Sequence, residues 1–116
     1  MTRAPADEAA FQAVVVEIAR LAGWRVAHFR AARTEKGWRT PVAADGAGWP
    51  DLVLVRPPRI VFAELKSERG KLSARQADWI GALRLLPAAE VYVWRPDDWD
   101  ELVETLTGSR PRKVAA

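Results

Sequence analysis

Apolar residues recur along this chain in two rhythms. Phe11, Val14, Val15, Ile18, Leu21 and Ala22 fall at i, i+3, i+4 and i+7 spacing, which predicts an amphipathic helix over residues 7–22. Asp7 is placed to cap it and Gly23 to stop it. Residues 24–29 read as a short strand. A polar, glycine-containing stretch at 30–49 follows, far longer than the usual connection of about 4 to 6 residues, and loops of that length are commonly functional or mobile. Residues 51–56 (DLVLVR) and 60–66 (IVFAELK) then read as strands separated by the breaker Pro57-Pro58. A second helix is predicted over 73–86, with Trp79, Ile80, Leu83 and Leu86 on one side and Pro87 as its stop. Residues 90–95 (EVYVWR) alternate like a strand. A last helix, 98–107, carries the stripe Trp99, Leu102, Val103 and Leu106 behind a capping-box pattern of Asp98 with Glu101. The predicted order is αβββαβα, an α/β fold with a mixed sheet flanked by helices.

Composition narrows this picture more by exclusion than by content. The 116 residues suit one domain, expected over 1–108, with a basic tail at 109–116 that has no periodicity and is expected to be disordered. No apolar run approaches the roughly 18 residues of a membrane span, and the N-terminus lacks a signal-peptide pattern. The expectation is therefore a cytoplasmic protein without a membrane partner. The chain has no cysteine, which excludes disulfides, thiolate metal sites and thiol nucleophiles. Its one histidine, His28, excludes a two-histidine zinc site within one chain. Net charge is +3, unevenly spread: residues 20–75 hold twelve Lys and Arg against five Asp and Glu, whereas 96–108 hold five acids and no base. A basic middle points to a polyanion, most economically nucleic acid, or to an ordinary solvated surface of mixed charge.

The chemistry is suggested by a conflict inside two strands that otherwise read as buried. Asp51 begins one of them, and Glu64 and Lys66 end the next. Charged groups are rarely placed in buried strands, since desolvating one costs several kcal/mol unless it is paired or bound to metal. Alternation puts Glu64 and Lys66 on one face with Ile60 and Phe62. If the connection is symmetric about Pro57 and Pro58, Asp51 and Glu64 stand directly opposite each other, with Cβ atoms about 5 Å apart. Carboxylates that close repel unless a cation lies between them. Two carboxylates with a neighbouring ammonium suit a hard divalent cation acting on a phosphodiester, with a cross-strand salt-bridge cluster as the structural alternative.

At this point the residues resemble a known family. Trp49-Pro50-Asp51, followed thirteen residues on by Glu64-Leu65-Lys66, is similar to the PD-(D/E)XK nuclease signature. The stretches GWPDLVLV, VFAELKSERGKLSARQADWI and VYVWRPDDWDELVETL resemble its VRR-NUC branch, especially the small stand-alone phage and bacterial members. The resemblance implies a restriction-endonuclease-like core and a Mg²⁺- or Mn²⁺-dependent DNA endonuclease. It implies Asp51 and Glu64 as metal ligands, helped by the backbone carbonyl of Leu65, and Lys66 as the catalytic lysine. It further implies that Glu8 points into the same site from the first helix, that Gln76 serves it from the second, and that the protein is a homodimer acting on branched DNA such as four-way junctions. A non-catalytic DNA-binding module of the same fold, and an exonuclease acting on ends, remain open at this stage.

The other candidates each have a plainer reading beside the functional one. Glu8 is also a first-turn acid favoured by the helix dipole. Ser73-Ala74-Arg75-Gln76 is itself a capping box, so Gln76 has a structural role available whether or not it serves the site. His28 is expected to be structural. Arg30, Arg33, Lys36 and Arg39, with Lys71, fit phosphate contacts, and Trp38 fits base stacking, whereas a solvated loop explains the same run of charge.

Overall fold

Helix α1 (Glu8–Leu21) opens where Asp7 accepts a hydrogen bond from Ala10 N at 2.9 Å, and it buries Phe11, Val15 and Ala19. The computed structural model describes residues 7–29, 32–34, 37–39 and 42–109, the hairpin segments 32–34 and 37–39 by their backbone only. After α1 come β1 (Arg25–His28), β2 (Ala32–Thr34), β3 (Gly37–Arg39), β4 (Leu52–Arg56), β5 (Arg59–Leu65), α2 (Ala74–Arg84), β6 (Ala89–Trp94) and α3 (Trp99–Thr107). The main sheet has the order β1-β4-β5-β6, antiparallel except for the parallel β5–β6 pair. The fold is α/β, a mixed four-stranded sheet flanked by three helices.

Period-two alternation divides the side chains between two cores. Leu52 and Leu54 of β4, Val61, Ala63 and Leu65 of β5, and Tyr92 and Trp94 of β6 face α1 and α3. Val53, Ile60, Phe62, Val91 and Val93 face α2, where Ile80 and Leu83 complete the second cluster. Each fully buried large aliphatic or aromatic side chain contributes about 1.5–3 kcal/mol of transfer free energy. Both faces of β5 are thus covered, which explains its near-continuous apolar sequence.

The β4–β5 register pairs Arg56 with Arg59 and Leu52 with Ala63. This is the symmetric connection expected from sequence, and carried one step on it sets Asp51 across from Glu64.

Several expectations need correction. The 30–49 stretch contains the hairpin β2–β3, with Ala32 opposite Arg39 and Thr34 opposite Gly37; three-residue strands are too short to generate a readable period. Trp24 precedes β1 rather than lying in it, and is buried with its Nε1 donating to Leu106 O at 2.7 Å. Helix α2 stops at Arg84, so Leu86 is exposed rather than part of the core. Pro87 disfavours helical backbone at the residue before it. The capping box of Asp98 with Glu101 does not form. Asp98 instead accepts from Arg95 N at 2.8 Å, closing a 3-10 turn over Pro96–Asp98 that leads into α3. Among the described residues no helix is long and apolar enough to cross a membrane.

Candidate functional site

The end of the sheet where β4 begins and β5 finishes collects the charged groups singled out above. Glu64 is the sixth of the seven residues of β5 and lies on the α2 side with Ile60 and Phe62. It is 1% exposed, and no N–H or hydroxyl donor reaches either of its carboxylate oxygens. Asp51 immediately precedes β4. Its Oδ2 accepts from Leu65 N at 2.8 Å, so the Asp51 carboxylate takes over the β5 amide just beyond the last β4–β5 pair. Two ionised carboxylates have no proton to donate to each other. Burial first, then a proton-sharing contact with Asp51 and its negative charge, push the Glu64 carboxyl up to about 9, against the opposing charge of Lys66. The raised pKa favours a proton on Glu64 at neutral pH, which relieves the repulsion between the two carboxylates.

Lys66 follows β5 directly, half-buried, and its backbone N donates to Trp94 O at 3.0 Å. This bond extends the parallel β5–β6 alignment one residue past the strand and fixes where the lysine leaves the sheet. Leu65 is fully buried on the other face, and its peptide is held by Asp51.

Gln76 sits in the first turn of α2 and forms the capping box: its Oε1 accepts from Ser73 N at 2.8 Å, and its own N donates to Ser73 Oγ at 3.1 Å. The capping reading is realised in the structure. Glu8 is exposed in the first turn of α1, on the opposite face of the sheet from Glu64. Among the described residues no three His, Cys, Asp or Glu side chains are grouped to hold a metal ion, so Glu8 does not join Asp51 and Glu64 as expected. The physical reason is placement: α1 packs on the sheet face away from Glu64, and its first-turn carboxylate is favoured there by water and the helix dipole. His28 reaches from β1 to α1, its Nε2 3.2 Å from Gln12 Oε1, in the structural role expected of it. Lys71 is exposed in the segment between β5 and α2. Arg30 and Lys36 lie outside the described residues, and Arg33 and Arg39 are placed only as backbone of β2 and β3.

Sequence reasoning missed the wall that holds Asp51 in place. Trp49, two residues before it, packs edge-on against Phe29, Phe62 and Trp79 with ring centroids 6.0, 5.7 and 4.9 Å apart. Gly48 has φ +89°, and a Cβ there would lie 2.5 Å from the Arg75 carbonyl carbon and 2.7 Å from Gln76 N. Only glycine lets the chain approach the first turn of α2 so closely. The signal was present as G-W-P before an apolar strand, but nothing in it told which helix the loop would meet.

A second polar centre, at the opposite end of the β4–β5 hairpin, was also missed. Arg56 and Arg59 face α3 across Trp24, their guanidinium carbons 4.6 and 4.9 Å from its ring centroid. Arg56 donates to Ala22 O at 2.8 Å and Leu106 O at 3.1 Å, and both arginines donate to Gly108 O. Arg59 also pairs with Glu90 through two hydrogen bonds of 2.7 and 2.6 Å, and Glu90 accepts a third from Tyr92 OH at 2.9 Å. Two of the twelve bases counted in the basic middle are therefore inward-facing structural groups.

Comparison with protein-family models, with characterised proteins and with solved structures finds no match for this chain.

Proposed function

We propose that this chain is a Mg²⁺- or Mn²⁺-dependent DNA endonuclease with a restriction-endonuclease-like core, in line with its resemblance to the VRR-NUC branch. The observation that carries the reading is Glu64, buried with no N–H or hydroxyl donor on either carboxylate oxygen and with the Asp51 carboxylate across the hairpin as its neighbour. A carboxylate so placed costs several kcal/mol unless a proton or a cation compensates it. A hard divalent cation fits because it needs only one or two carboxylates, taking the rest of its shell from water and phosphate oxygens. Such a cation polarises the scissile phosphodiester and makes a water molecule acidic enough to attack it.

The residues of the chain divide the remaining work. Asp51 and Glu64 would hold the cation, and the Leu65 peptide, fixed through its N–H by Asp51, is the neighbour whose carbonyl would assist. Glu64 would hold the cation as a carboxylate, its proton passing to solvent. Lys66 sets an ammonium beside the carboxylates, suited to the negative charge that builds on phosphate during hydrolysis. Gln76 holds the first turn of α2 beside the site, and through it the Gly48–Trp49 wall. Glu8 has no part in the reading as the fold presents it.

DNA is the proposed partner, since the positive balance of residues 20–75 persists after Arg56 and Arg59 are set aside. Cutting two strands symmetrically takes two sites related by a two-fold axis, so the proposal extends to a cytoplasmic homodimer acting on branched DNA. The test is a cleavage panel of duplex, single-stranded, flap and four-way-junction DNA with Mg²⁺, Mn²⁺ or chelator, alongside light scattering for mass. Metal-dependent cutting that Asp51→Ala and Glu64→Ala both abolish is the expected result. Failure to cut any of these substrates would overturn the nuclease reading, and a monomer cutting linear duplex as readily as junctions would overturn its dimeric, branch-selective form.

A further inference from the structure

The loop before β4 and the α2 residues Arg75, Asp78, Trp79 and Ala82 enclose an open recess of about 480 Å³. Its polar and aromatic lining is Asp45, Arg75, Asp78 and Trp79, with Ala44 and Ala47 as small apolar neighbours. The indole of Trp79 is anchored at both ends. Its Nε1 donates to Asp45 O at 3.0 Å, and its ring abuts Trp49 at 4.9 Å. Trp79 is half-buried, so part of its ring remains open to the recess. Asp45, Arg75 and Asp78 are all exposed, leaving their charged ends available to a ligand.

This set of groups has a definite chemistry. A fixed aromatic ring offers a stacking surface to any heterocyclic base. Carboxylates accept from the amino and ring N–H donors on a base's Watson–Crick edge. A guanidinium binds phosphate. The recess is linked to the proposed cleavage centre through the backbone approach of Gly48 to α2. Arg75 lines it, while the Arg75 carbonyl and Gln76 N form the surface against which Gly48 closes, three residues before Asp51.

We propose that the recess takes one unstacked nucleotide of the strand being cut, an amino-bearing base lying against Trp79, its N–H edge on Asp45 and Asp78, and its phosphate on Arg75. This rests on the nuclease reading for the source of the nucleotide, but the site stands on its own groups. Guanine, with adjacent ring and exocyclic N–H donors, suits two carboxylates best. Thymine, with a single N–H flanked by carbonyls, suits them worst. The recess thereby gives the chain a preference for an unpaired nucleotide near the cut, as branch points and loops supply.

The test is titration of the full chain with dGMP, dTMP and inorganic phosphate in the presence of chelator, following the Trp79 indole N–H resonance, assigned by its loss in Trp79→Phe. Saturable movement of that resonance by dGMP is expected, with dTMP at least about fivefold weaker, the discrimination of one good base contact. Arg75→Ala should weaken both nucleotides and keep their ratio, whereas the double variant Asp45→Ala/Asp78→Ala should erase the ratio. Equal binding of dGMP and dTMP, the same shift with phosphate alone, or no saturable shift would each overturn the proposal. Because no divalent cation is present, the outcome is independent of cleavage. DNA cutting without dGMP binding removes the recess alone, and dGMP binding in a protein that cuts no DNA removes the nuclease reading alone.

Discussion

The β4–β5 hairpin carries a like-charged pair at each end, and the protein treats the two in opposite ways. Next to the turn, Arg56 and Arg59 are directly paired in register and point at the same indole. Their repulsion is answered by three backbone carbonyls, by Glu90 and by the Trp24 ring, and no buried polar atom of this group is left without a partner. At the open end, Asp51 and Glu64 oppose each other, and no N–H or hydroxyl donor reaches either Glu64 oxygen. A structural charge pair ends up satisfied by its own chain. The acidic pair does not, and that contrast is what supports the proposed site at the open end.

The sharpest way to break this contrast is to remove one buried carboxylate from each end and compare unfolding in denaturant. Glu90→Ala leaves Arg59, only 4% exposed, without its partner, and should cost about 3–5 kcal/mol, as for other broken buried pairs. Glu64→Gln keeps the shape, removes a buried acid with no partner, and should leave the metal-free protein as stable as before or more so. Equal destabilisation by both would mean that Glu64 is structural, and the contrast would collapse.

Next in size is Lys66→Ala. Its cleavage rate should fall by at least about 100-fold, the usual loss of an electrostatic stabiliser, while the melting temperature changes little and DNA binding in Ca²⁺ persists. A large drop in melting temperature with modest rate loss would instead make Lys66 part of a salt-bridge cluster.

The pH dependence of stability should report the same asymmetry. Glu64 titrates near 4.5 when unfolded and is raised to about 9 when folded. Between those values only the folded state retains the proton, so this group's contribution is full below 4.5 and is lost as pH rises towards 9. Urea unfolding in chelator should show that loss, Glu64→Gln should flatten it, and Mg²⁺ should restore stability most at the alkaline end. A wild-type profile that is flat and indifferent to Mg²⁺ would argue against both the proton and the cation.

The smallest effects belong to the α2 cap. Ser73→Ala should lower stability by roughly 1 kcal/mol and leave cleavage per folded molecule unchanged. Gln76→Ala should lose the reciprocal half of the box and also reduce cleavage, because the turn it holds supports Gly48 and Trp49. Identical behaviour in both assays would reduce Gln76 to capping alone.

Much of the Asp51–Glu64 end was legible because it depends on arithmetic the chain cannot evade. Strand alternation and a two-residue connection between symmetric partners fix which residue faces which, and the observed register pairs Arg56 with Arg59 as that reasoning requires. The other polar end was not legible. Arg59 meets Glu90 and Gly108 across separations of 31 and 49 residues, and local pattern carries no information at that range. Arg56 and Arg59 consequently looked like surface bases. Glu8 illustrates the converse limit: the family resemblance put it in the site, yet at a helix's first turn water is always within reach of a side chain. The β2–β3 hairpin escaped because three residues do not make a rhythm.

The short reach of the hairpin also bears on how the chain folds. Asp51 and Glu64 are brought together by closing a loop of only about a dozen residues, and contacts of such low sequence separation form early. Arg56 and Arg59 meet sooner still, beside the turn, long before Glu90 or Gly108 can arrive. The nascent hairpin therefore zips against two uncompensated repulsions of opposite sign. Mobile ions screen both at that stage, whereas in the finished protein the arginine pair has its own partners and the acidic pair is relieved by the Glu64 proton. Added salt should thus accelerate refolding more than it slows unfolding, making the speed of folding, and not only its equilibrium, sensitive to the charges that the site requires.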